Sequence, residues 1–194
     1  MSGLFKNEDN SKPIYLLSID GGGIKGLIAL RILRRIEEIL KIDIYETFQA
    51  YSGTSTGSII LGTLVYNKQT AGYIESNVFN KEVARRIMHE SFIDEILDTF
   101  QTMPKYSGKP KRDAINNMLD GKIMTDTDKE IMFSSYNVSK NQDKFFKSYD
   151  DCKYTVTDAI DASSAAPSYF PAVAVNKEVF IDGSVVANNP CDCL

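Results

Sequence analysis

Apolar and polar positions change period several times along the chain, and each change marks an element. Ile14-Tyr15-Leu16-Leu17-Ser18-Ile19 is a short, mostly apolar run that stops at Asp20 and three glycines, the pattern of a buried strand. From Ile24 the period lengthens. Leu27, Leu30, Ile32-Leu33, Ile36 and Ile39-Leu40 recur at helical spacing with Arg31, Arg34, Arg35, Glu37 and Glu38 between them, which predicts an amphipathic helix. The scheme then repeats, with residues 48–52 as a strand running into Gly53 and residues 58–65 as a buried helix. Two strand–turn–helix units predict an α/β fold with a mostly parallel central sheet and helices on both faces.

The middle is less regular. Residues 81–88, 92–100 and 112–119 read as helices, the last stopping at Asp120-Gly121. Residues 131–138 and 144–149 read as pairing strands, and 155–166 as a helix that ends before Pro167. Residues 173–175 and 179–181 flank Asn176-Lys177-Glu178 as a hairpin, which delivers Asp182-Gly183-Ser184 to a strand end. Residues 1–12 are polar and read as a disordered lead-in. Residues 13–194 contain no linker-like stretch and read as one domain.

Composition narrows the function classes. Hydrophobic residues make up 43% and charged residues 25%, as in ordinary globular domains. A net charge of -4 leaves no basic footprint, so no nucleic-acid partner is expected. No window has the apolar length of a membrane span, and the N-terminus lacks a signal-peptide core. The three cysteines, Cys152, Cys191 and Cys193, make no disulfide framework. Cys191 stands fourth from the end, but without the aliphatic pair or polybasic stretch of a prenylation box. The expected compartment is cytoplasmic, with at most peripheral contact to membranes.

Chemistry enters at Gly53-Thr54-Ser55-Thr56-Gly57. G-x-S-x-G between a strand and a helix is the pattern of a sharp elbow that exposes a nucleophilic serine; the same residues also suit a plain turn. A serine hydroxyl needs a base. His89 is the one histidine; it lies in a charged helical segment and reads as a solvated surface residue. A carboxylate remains, and Asp182, at a strand end beside Gly183, can accept the proton directly or simply form a turn. The glycines Gly21, Gly22 and Gly23 can turn their amides inward as an anion nest for an oxyanion. They also begin a G-x-G-x-x-G pattern ending at Gly26, with Asp43 about 20 residues on, the dinucleotide-binding fingerprint. Asp20 just before the loop opposes a pyrophosphate, and that reading leaves Ser55 and Asp182 without a task. Asp126-Thr127-Asp128 lacks the spacing of a calcium loop and reads as a helix-capping turn.

Taken together, these blocks resemble the patatin-like phospholipase family: Asp20 to Gly26, Gly53 to Gly57, the Ala/Ser-rich stretch from Ala162 to Pro167 continuing to Pro171, Asp182-Gly183-Ser184, and Ala187-Asn188-Asn189-Pro190. They stand in the family's order across nearly the whole chain. The resemblance implies a lipid acyl hydrolase with Ser55 as nucleophile, Asp182 completing a Ser–Asp dyad, and Gly21, Gly22 and Gly23 as the oxyanion hole. It implies Lys25 near a lipid phosphate and Pro167 and Phe170 along the acyl channel, with no metal or other cofactor. The substrate it implies is a phospholipid or related acyl lipid. Ser184 departs from the usual Gly or Ala, and the domain is expected to be truncated at its C-terminus. A catalytically inactive lipid-binding or regulatory module of the same family is the alternative, ahead of the dinucleotide-binding enzyme.

Overall fold

In a computed structural model, which places residues 13–87, 104–119, 121–150 and 153–193, the first glycine-terminated run becomes β1 (Leu16–Ile19). The helical pattern behind it becomes α1 (Gly26–Leu40), entered through one 3-10 turn at Gly23–Lys25. The second unit is β2 (Ala50–Gly53) and α3 (Thr56–Asn67). The lead-in 1–12, His89 and the helix expected over 92–100 lie outside the described residues.

Among the described residues three short helices escaped the sequence pattern, two of them near the start of the chain and the third at Ser184–Ala187. The one-turn α2 (Ile44–Thr47) is capped by Asp43, whose carboxylate accepts from the Glu46 amide. Then α4 (Ala71–Asn77) is capped by Thr70 and packs on α1, where Arg31 and Arg34 meet Glu75 at 3.1 and 3.3 Å. Next come α5 (Lys81–Ile87) and α6 (Gly108–Leu119), the latter starting four residues ahead of the expected position. The strands β3 (Glu130–Asn137) and β4 (Gln142–Lys147) pair as predicted, and the pairing is antiparallel. A capped helix α7 (Val156–Ser163), the hairpin β5 (Val173–Val175) and β6 (Glu178–Asp182), and the short α8 (Ser184–Ala187) complete the order.

No helix begins at the Asp126-Thr127-Asp128 turn; β3 does. Asp126 accepts from the Ile123 amide and Asp128 from the Tyr45 hydroxyl, so the carboxylates tie a loop rather than cap a helix.

The six strands form one mixed sheet in the order β1-β2-β3-β6-β5, with β4 also on β3. The predicted parallel part is β1–β2–β3, and β4, β5 and β6 add antiparallel pairs. One face is covered by α3 and α7. With no charge between Ser55 and Asn67, α3 has no polar stripe, and Ile60, Leu61 and Leu64 are fully buried. Each such side chain stabilises the fold by about 1.5–3 kcal/mol. Gly62 lets α7 come close: a Cβ there would stand 2.3 Å from Ile160 Cδ1. On the opposite face, Ser134 and Thr54 donate to the Ala187 carbonyl, so α8 and the residues after it lie over that side. Among the described residues no helix is long and apolar enough to cross a membrane.

Candidate functional site

Ser55 is both the end of the β2 turn and the N-cap residue of α3, and its backbone is the outlier of the region, at φ 54° and ψ -118°. Such a conformation costs a non-glycine residue about 1–3 kcal/mol and persists only when its surroundings over-determine it. They do so on both sides. A Cβ on Gly53 would lie 2.8 Å from the Gly57 backbone, and one on Gly57 would lie 2.1 Å from the Ile19 carbonyl oxygen of β1. An N-cap serine ordinarily spends its hydroxyl on a helix amide. Ser55 makes no such bond, so the turn that strains its backbone leaves its Oγ uncommitted among the described residues.

Asp182 reaches the same place through the sheet. On one edge β3 carries β4 over Met132 to Asn137, so β2 and β6 must share the other edge. Parallel β2 ends with Gly53 opposite Phe133; antiparallel β6 ends with Asp182 opposite Ser135. Their carboxyl ends therefore meet head to head at Ser134. That serine is fully buried, sits 2.5 Å from the Thr54 hydroxyl, and would be struck by any Cβ on Gly183. Asp182 is buried. Its Oδ1 accepts from the Ser184 amide at 2.8 Å, and its Oδ2 has no hydrogen-bond partner among the described residues. A buried, unpartnered carboxylate oxygen is costly unless something arrives to use it.

The turn after α7 joins these two residues. Ser163 Oγ accepts from the Ser55 amide at 3.1 Å and the Ser163 carbonyl from the Gly183 amide at 3.3 Å, while the Ala165 carbonyl accepts from the Asp182 amide at 3.0 Å. Beneath the turn lies Lys111 of α6, only 2% exposed. Its ammonium donates to the Asp161 carbonyl (3.0 Å) and Ser164 Oγ (3.1 Å). It stands 3.0 Å from Asp161 Oδ1, off the line of a hydrogen bond to that oxygen, and 4.7 Å above the centre of the Phe170 ring. Burial pulls the Lys111 ammonium below the usual lysine range, opposed by Asp161 and more weakly by Asp182. Arg112 closes the network against Asp158 and Asp161 at 2.6 and 3.2 Å.

A cavity of about 540 Å³ opens over the site. Ser55, Asp182, Gly21, Gly22, Gly23 and Phe170 all line it; Lys25 and Pro167 do not. The Gly21 amide already donates to the Asn188 carbonyl at 3.2 Å, whereas the amides of Gly22 and Gly23 make no hydrogen bond among the described residues. Asp43 is the α2 cap and stands outside the cavity lining, so the dinucleotide pattern has lost its ribose partner. Away from Ser55 the walls are apolar: Ile59, Val78, Phe79, and the α6 stripe Ala114, Ile115 and Met118. Two large lining residues, Ile24 and Tyr169, are each 55% exposed and mark the mouth.

Sequence reasoning missed Ser134, Ser163, Lys111 and Asp161. The one visible signal was Lys111 itself, a cation standing in the apolar stripe of residues 111, 115 and 118.

Comparison with known proteins adds an independent line. The family described as patatin-like phospholipase matches residues 17–194. A cGAMP-activated phospholipase of Escherichia coli is 33% identical over 196 residues, covering 92% of this chain and 54% of that relative. The human calcium-independent phospholipase A2-gamma is 27% identical, covering 94% of this chain and 26% of its own length. The chain thus spans about half the length of the bacterial relative and a quarter of the human one. In fold it is similar to VipD from Legionella pneumophila, with a TM-score of 0.59, 14% identity, and coverage of 88% of this chain and 45% of that one.

Proposed function

This chain belongs to the patatin-like phospholipase family, and on that premise we propose that it hydrolyses acyl-lipid esters, phospholipids among them, with Ser55 and Asp182 as a catalytic dyad. One observation carries the reading. A strained serine whose hydroxyl is uncommitted among the described residues lines the same largely apolar cavity as a buried aspartate whose Oδ2 has no partner among them.

In this mechanism Asp182 Oδ2 takes the proton of Ser55 as Oγ attacks the ester carbon. The amides of Gly22 and Gly23 receive the oxyanion, helped by the N-terminus of α3. Collapse breaks the ester bond, and the leaving alkoxide takes the proton from Asp182. Water then gives a proton to Asp182 and attacks the acyl-enzyme. Fatty acid departs and Ser55 regains its hydrogen. The acyl chain lies along Ile59, Ile115 and Met118, and enters past Ile24 and Tyr169 from a membrane surface that the protein touches peripherally. The reaction calls on no metal.

The test is fatty-acid release from mixed phospholipid vesicles, together with labelling by a fluorophosphonate. Ser55→Ala should abolish both, and Asp182→Asn should lower turnover by at least about 1000-fold, the scale on which linked catalytic residues act. Full turnover by Ser55→Ala would remove the serine from the mechanism.

A further inference from the structure

Lys111 is an odd tenant of its position. The α6 face that lines the cavity runs Lys111, Ala114, Ile115, Met118, and an aliphatic side chain at its head would extend the apolar wall without the cost of desolvating a charge. The ammonium is instead wholly engaged with the segment from Asp161 to Phe170. That segment includes the turn whose Ser163 hydroxyl holds the Ser55 amide and whose Ala165 carbonyl holds the Asp182 amide. Ser164, between those two anchors, donates to the Ile160 carbonyl and accepts from Lys111, so the ammonium fixes the middle of the turn.

We propose that Lys111, paired with Asp161, is a positioning residue of this hydrolase: it locks the Ser163–Ser164–Ala165 turn and thereby holds the nucleophile and its base in register with each other. The inference rests on the dyad reading above. A displacement on the order of 1 Å at reacting groups costs about 100-fold in rate, so a loosened turn is read out in turnover before it is read out in folding.

The experiment uses a short-chain, water-soluble p-nitrophenyl ester, so that acyl-tail and membrane contacts drop out, plus the rate of fluorophosphonate labelling. Lys111→Met alone leaves the Asp161 carboxylate buried with one partner fewer and tests mainly stability. The decisive variant is the uncharged pair Lys111→Met with Asp161→Asn, which keeps the volume and removes both charges. It should melt near the wild-type temperature, yet show kcat and labelling rate lowered by about 100-fold with KM unchanged. Ser164→Ala, which removes one acceptor of the ammonium, should reproduce part of the kcat loss without moving KM. A folded double variant with wild-type kcat and labelling overturns the positioning role, as does a Ser164→Ala variant whose KM alone changes. If the wild-type chain is labelled at Ser55, either failure belongs to Lys111 alone. If no probe labels the wild type, the dyad reading falls and takes this inference with it.

Discussion

Two sets of glycines flank the candidate site, and they are glycine for opposite reasons. Gly53 and Gly57 bracket Ser55 in a space already full: any Cβ would lie within 2.8 Å of the α3 backbone or 2.1 Å of the Ile19 carbonyl oxygen. Gly22 and Gly23 stand in the loop after β1 with room to spare. Among the described residues a Cβ on Gly22 meets only Lys25 Cβ at 3.5 Å, and one on Gly23 meets nothing within 4 Å. Packing therefore accounts for the first set and leaves the second unexplained. What remains for the loop is backbone conformation at Gly23, where φ is +54°, and access of a ligand to bare amides at both. The sharper the contrast holds under mutation, the better the loop qualifies as functional and the elbow as structural.

Gly57→Ala should produce the largest change. Its clash partner is backbone of a neighbouring strand, which cannot rotate away, so the cost should exceed about 3 kcal/mol, the upper part of the overpacking range. Urea unfolding should show either a collapsed midpoint or no folded protein; a variant as stable as wild type would mean that β1 and the elbow are not so closely packed. Gly23→Ala should cost less, about 1 kcal/mol, because only the left-handed backbone is penalised. Gly23→Asn should cost still less, since asparagine tolerates that region. Equal losses for Ala and Asn would point to a hidden contact and weaken the contrast.

The same contrast separates what the sequence could convey from what it could not. Local signals were strong wherever one residue type is nearly forced. The run before Gly21 announced β1, and the uncharged stretch after Ser55 announced a buried helix. Short helices without a long apolar stripe, α2 and α4, left no such trace, because one or two turns supply too few positions to show a period. Ser55 and Asp182 were legible as motifs, but their convergence was not, since it depends on β2 and β6 sharing one edge of β3. Ser134 and Ser163 are ordinary polar residues in sequence; only the meeting of strand ends and the turn after α7 gives them partners. Lys111 lies one residue ahead of the helix expected over 112–119, so its break in the apolar stripe went unread and nothing indicated what it would hold.

Gly22→Ala should have the smallest effect on stability and tests the functional half of the contrast most directly. Its φ of -179° lies outside the left-handed region that favours glycine, and its nearest neighbour would be an ordinary van der Waals contact. The melting temperature should therefore stay at the wild-type value. Gly22 lines the cavity, however, so a methyl group enters the space beside an amide that has no acceptor among the described residues. If that amide stabilises an oxyanion, crowding it should lower kcat toward the roughly 100-fold loss seen when one donor of such a site is removed, with little change in KM. The measurement is ester turnover beside thermal unfolding on the same preparation. Unchanged turnover at unchanged stability would assign the open loop to some other task, and the oxyanion would then have to be received by the α3 N-terminus alone.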